Sequence, residues 1–229
     1  MRFVFVILLF SAISLSGSAA ISNGNDFTVP EVDANYFEGT LHYLLDINGM
    51  EQEFRYRIKD SFIRLEIDDP HMGGSMTLLF AQNHDRMVAL LHEVSGYSEI
   101  AFKEVADRSE ILLNRLDRVV ATGNEQEISG ILSREYEIQT EKEESIVLWS
   151  PIESNRYGYF QFPDFGNPEL VHILKHDVPA GFFPFMVFYE GERHTINVTL
   201  IDVVEETLDP KIFEVPANYR NIPVTVPDY

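Results

Sequence analysis

The sequence predicts a mainly β domain of the α+β class built on an antiparallel sheet, and three observations carry that prediction. Apolar and polar residues alternate with period two over several separate stretches, turn residues punctuate them, and helical spacing is confined to two segments. No internal repeat, linker or low-complexity block divides residues 36–229, so one domain is expected there.

The segment before that domain reads differently. In MRFVFVILLFSAISLSGSAA one positive charge at Arg2 precedes an apolar run from Phe3 to Phe10, and Ser18, Ala19 and Ala20 are small. This is the pattern of a secretory signal cleaved near Ala20, spanning residues 1–20. Its strongly apolar run is shorter than the roughly 20 residues a spanning helix needs, and no later stretch is long and apolar enough, so no transmembrane segment is expected. Residues 21–35 are polar and aperiodic, a flexible leader. The expected destination is therefore outside the cytoplasm, periplasmic or secreted. With Cys 0 the chain has no disulfide and no thiolate chemistry, so an ordinary core must hold it. A formal charge of -20 repels phosphate, which excludes nucleic acid as a partner.

Alternation begins at YFEGTLHYLLDI, where Phe37, Leu41, Tyr43, Leu45 and Ile47 share one face of a strand. Asn48-Gly49 is a two-residue hairpin signal. EFRYRIK turns Phe54, Tyr56 and Ile58 inward, and FIRLEID does the same with Ile63, Leu65 and Ile67, giving a meander with one wet face. After the loop DPHMGGS, MTLLFA and RMVALL are apolar on both faces, which calls for cover on both sides, expected to be helical. From Ser98 to Leu116 the residues Ala101, Val105, Leu112 and Leu116 recur at helical spacing, supported by Glu99–Lys103 and Glu104–Arg108 pairs. One helix, or a short helix and a strand, both fit. Strands resume near Val119, with Leu132, Tyr136 and Ile138 grouped in GILSREYEIQ, then IVLW ending at Trp149. PELVHILKH is a short helix opened by Pro168.

GFFPFMVFY, residues 181–189, starts the last hairpin. As a strand it sets Phe183, Phe185, Val187 and Tyr189 on one face and Phe182, Met186 and Phe188 on the other. Pro184 cannot donate to a ladder, so an edge position or a bulge is expected. The return strand HTINVTLIDVV alternates through Ile196, Val198 and Leu200, and LDPKIFEVPANY is a helical turn docked by Phe213 and Val215. So much apolar surface reads either as core beneath the 170–176 helix or as the lining of a hydrophobic site.

Catalytic templates are absent: there is no H-E-x-x-H, G-x-S-x-G, phosphate-binding loop or G-x-G-x-x-G, and no cofactor is implied. His172 and His176 at i, i+4 point the same way on a helix and are the one pair with metal-ligand spacing. The sequence names no third ligand, so hydrogen-bonded or solvated histidines are the expectation.

FEGTLHY, YRIKDSFIRLEI, GILSREYEI followed by IVLW, and LDPKIFEVPANY resemble, in order and spacing, a bacterial envelope family known as a domain of unknown function, over about Phe37 to Tyr219. That family is similar in fold to the lipoprotein carriers LolA and LolB. The resemblance implies a curved antiparallel sheet, an incomplete β-barrel, with helices packed on its concave side and space between them for acyl chains. On that implication the expected function is non-enzymatic: an exported protein that binds a lipid or lipoprotein acyl chain, lined by Leu78, Phe80, Leu90, Ile173, Leu174, Phe185, Val187 and Tyr189. The rival expectation is an envelope protein–protein interaction module, and a metal-dependent enzyme stands third.

Overall fold

The structure, a computed structural model, describes residues 37–60, 62–69, 74–81, 86–101, 116–140, 145–152, 184–191 and 195–223. These form β1 (Gly39–Ile47), β2 (Met50–Lys59), β3 (Phe62–Asp69), β4 (Gly74–Ala81), β5 (Arg86–Leu91), β6 (Gly96–Ala101), β7 (Leu116–Ile128), β8 (Ile131–Thr140), β9 (Ser145–Pro151), β10 (Met186–Glu190), β11 (Thr195–Glu205) and β12 (Arg220–Asn221). Short 3-10 helices occupy His92–Val94 and Pro210–Phe213.

All twelve strands belong to one sheet in the order β12-β6-β5-β4-β3-β2-β1-β11-β10-β9-β8-β7. Two meanders, β1 to β6 and β7 to β11, are joined where β1 pairs β11. Every pairing is antiparallel except β12 with β6. The β1–β2 turn follows the sequence signal: Asn48 and Gly49 take φ of 54° and 82°, and the Gly49 amide donates to Asp46 Oδ1 at 2.7 Å.

One face of the sheet is apolar almost throughout. The residues predicted to point inward from β1, β2 and β3 all do so, with Leu41, Leu45 and Leu65 at 0 % exposure. They join one core cluster that runs from Met87 and Ala89 of β5 round to Tyr136 and Ile138 of β8. A flat sheet could not gather those strands, so the apolar face is the concave one of a curved sheet. A second observation agrees. Ser129, in the β7–β8 turn, donates to the Leu200 carbonyl of β11 at 3.0 Å, although β11 lies three strands from β8, about 14 Å in a flat sheet.

β11 keeps its apolar residues inside by a bulge. Tyr43 faces Leu200 and His42 faces Asp202, leaving Ile201 as the extra residue. Beyond it the parity reverses, so Val203 packs against the core while Ile201 is exposed.

The opposite face carries the charges. Arg57 and Arg64 lie directly across from one another on β2 and β3, and Glu66 sits between them, accepting from Arg57 Nε at 3.1 Å and from Arg64 Nε at 2.7 Å. Burial alone would raise the Glu66 carboxyl, but Arg64 and Arg57 outweigh it and hold it below the ordinary range. The C-terminal segment crosses this face. The Leu208 amide and Lys59 Nζ both donate to Glu38 Oε1, Arg64 donates to the Ile212 carbonyl at 2.7 Å, and Phe213 meets Phe62 at 6.0 Å between ring centroids. His92 then bridges Thr77 and Tyr219, at 2.8 and 2.7 Å, before β12 extends the β6 edge.

Four expectations change here. Residues 96–101 are strand β6, with Ser98 opposite Ala89, so the helix expected from Ser98 does not begin there; Leu116 already belongs to β7. On the face of β4 and β5 opposite the core, His92 of the first 3-10 helix links Thr77 to Tyr219 of the C-terminal segment. The 3-10 turn Pro210–Phe213 of that segment lies over β3, so the described cover is 3-10 turns and extended chain in place of the expected helix from Ser98. β10 is an interior strand between β9 and β11: Pro184 stands just before the ladder, which opens at Phe185 as its amide donates to Trp149 and its carbonyl accepts from Leu200, both at 2.7 Å. Leu132 is 49 % exposed and does not join Tyr136 and Ile138 in the core. The segment 102–115 and the helix expected over Pro168–His176 lie outside the described residues, and no helix packed on the concave side is among the described ones.

Candidate functional site

The concave face is ordered in rows, because each strand contributes every second residue and the register aligns them. One row reads Tyr136, Leu148, Val187, Val198, Leu45 and ends at Gln52. All six are buried. The next row toward the sheet end reads Ile138, Ile146, Tyr189, Ile196 and Ile47, each directly paired with the next. Ile146, Tyr189, Ile196 and Ile47 are only half-buried, so this row is a partly wet apolar lip above a dry interior. Gly191 makes room for it: a Cβ there would lie 2.2 Å from Tyr189 Oη.

Further in, Phe185 is wholly buried. The Tyr43 hydroxyl donates to the Pro184 carbonyl at 3.1 Å, and its ring stacks on Phe54 at 5.1 Å with an interplanar angle of 4°. Tyr56 meets both rings edge-on. These contacts satisfy the one polar atom of Tyr43 and leave its ring as apolar wall.

The residues expected to line a site divide as follows. Leu78, Phe80, Phe185 and Val187 lie in the concave cluster, and Tyr189 stands on the lip. Leu90 is also buried, but its partner across the ladder is Thr77, on the charge-bearing face under the C-terminal segment. The one-residue step from Ala89 to Leu90 turns it away from Leu78. Ile173, Leu174, His172 and His176 lie outside the described residues. Among the described residues no three His, Asp or Glu side chains group as a metal site.

Two polar groups on this face went unnoticed at the sequence level. Gln52 is 8 % exposed and Ser150 2 %, and Gln52 Nε2 and Ser150 Oγ are buried without a hydrogen-bond partner among the described residues. The signal for Gln52 was present in EQEFRYRI, where it takes the inward phase shared by Phe54, Tyr56 and Ile58. On β10, β11, β1, β2 and β3 no lysine or arginine takes the inward phase, since Arg55, Arg57, Lys59 and Arg64 all face outward. On β8, Arg134 does take the phase of Tyr136 and Ile138, opposite Ser150, and pairs with Glu125 at 2.7 Å. From β10 to β3 the described face offers apolar surface and a neutral donor at Gln52.

Solved structures of similar shape include an uncharacterized conserved protein from Thermus thermophilus, with TM-score 0.49 and 7 % identity over 82 % of this chain and 91 % of that one. The Pseudomonas aeruginosa MucA/MucB complex gives 0.47 and 9 % over 80 % and 57 %. LprF from Mycobacterium bovis gives 0.33 and 9 % over 79 % and 90 %. No curated protein matches the sequence. Over residues 37–219 the chain matches the model described as Domain of unknown function (DUF4412), and it belongs to that family.

Proposed function

We propose that this protein is a non-enzymatic, exported cell-envelope protein that binds a lipid or lipoprotein acyl chain along the concave face of its sheet. The observation that carries the reading is the asymmetry of that sheet: one face is apolar from β5 to β8 and rimmed by a half-wet lip, while the other is laced with ion pairs. Apolar rows bind hydrocarbon without orientation-specific chemistry. The secretory signal expected over residues 1–20 supports binding outside the cytoplasm.

Native purification of residues 21–229, organic extraction and mass spectrometry test the reading. An acyl species at about one per chain is expected from the parent protein and from Phe188→Ser, whose side chain lies on the other face, and its loss is expected in Val187→Asp. Parent protein free of any acyl species, and unable to take one up from added palmitate, would overturn it.

A second reading, a protein partner adding a strand to β7, draws on that strand being a 13-residue edge. The register break between Ala121 and Glu125 works against it, since bulged edges resist pairing.

A further inference from the structure

We infer that Gln52 receives the polar end of the ligand, and that the ligand is an acyl chain ending in a neutral ester or amide carbonyl rather than a free carboxylate; this rests on the acyl-binding reading above. Three observations converge. Gln52 Nε2 is a buried donor without a partner among the described residues, a state that carries a desolvation penalty until an acceptor arrives. Its position is at the end of the row Val187, Val198, Leu45, beside the lip row that ends at Ile47. A hydrocarbon chain lying along the apolar rows therefore meets its first donor where the buried row meets the half-buried one. Third, no lysine or arginine takes the inward phase on β10, β11 or β1 to β3, Arg134 standing at the far β8 end of the row and paired with Glu125, and the chain's charge is -20. An ionised carboxylate taken into such a place lacks a counter-charge, whereas a carbonyl needs only one N–H.

Ser150 Oγ is the other unpartnered group, but it sits a row deeper, beside Phe185, where a chain tail would run. Its hydroxyl is short and offers no reach to the lip.

The test uses residues 21–229 and three probes of one chain length: hexadecane, methyl palmitate and palmitate, each measured by competition against a fluorescent acyl reporter. The parent protein is expected to bind methyl palmitate about fivefold tighter than hexadecane, the worth of one neutral hydrogen bond, and tighter than palmitate at pH 8. Gln52→Leu removes the donor while keeping a similar volume. It is expected to erase the ester preference, retain hexadecane binding, and raise Tm by about 2–4 °C by removing the unpaired group. An ester preference that persists in Gln52→Leu, or parent protein that prefers palmitate, overturns the assignment and leaves acyl binding standing. Failure of all three probes to bind overturns both.

Discussion

At the scale of single residues, phase within a strand decides almost everything. Phe185 and Phe188 are three apart in one aromatic stretch, yet one is wholly buried and the other 38 % exposed. Phe185→Ala should cost about 3–5 kcal/mol through lost burial and a residual cavity, and Phe188→Ala under about 1 kcal/mol; urea midpoints measure both. Equal losses would mean the two faces are not as assigned. Glu38 makes a different prediction. Its hydrogen bond from Lys59, then that from the Leu208 amide, hold its carboxyl below the ordinary 4.5. A group lowered in the folded state stabilises above its unfolded value and loses that contribution as pH falls through its lowered folded one. Stability should therefore decline as pH drops below about 4.5, and Glu38→Gln should flatten that decline. Parallel urea-midpoint curves from pH 7 to 3 would contradict the role given to Glu38.

At the scale of elements, what the sequence revealed depended on how strictly a strand alternates. β1, β2 and β3 have one wet face, so Leu41, Phe54 and Leu65 announced themselves by period two. β6 did not. GYSEIA buries Ser98 and only half-buries Tyr97 and Ile100, offering no row of aliphatics, and the pairs Glu99–Lys103 and Glu104–Arg108 imitate a helix surface. β10 was found but misplaced: Pro184 does forbid a ladder bond, and the fold answers by starting the ladder one residue later. Gln52 was hidden because polar residues surround it in the chain, and only its phase distinguishes it. Nor does local pattern say that the C-terminal segment will lie over β3 and β4, because that packing joins residues more than a hundred apart, as in Arg64 with Ile212 and His92 with Tyr219. Tyr219→Phe deletes a part-buried hydrogen bond and should cost about 1 kcal/mol, with faster amide exchange at Arg220 and Ile222, whose N–H groups bond to Ser95 and Tyr97. Unchanged exchange there would show that the segment is held without His92.

At the scale of the whole molecule, the curved sheet separates two environments that a flat sheet would leave alike. Acidic excess and ion pairs keep the convex side in water, and the concave side gathers apolar residues from strands far apart in sequence. Family membership fixes the chain's kind over residues 37–219, and the apolar face supplies the functional reading. The most direct measurement is methyl NMR of the mature chain, labelled at Val, Leu and Ile, with a protonated acyl ester added in a deuterated background. Intermolecular contacts to Val187, Val198, Leu45 and Ile196, and none to Val204 or Ile201, are the predicted result. Contacts confined to Val204 and Ile201, or no contacts with any methyl, would contradict a binding site on the concave face.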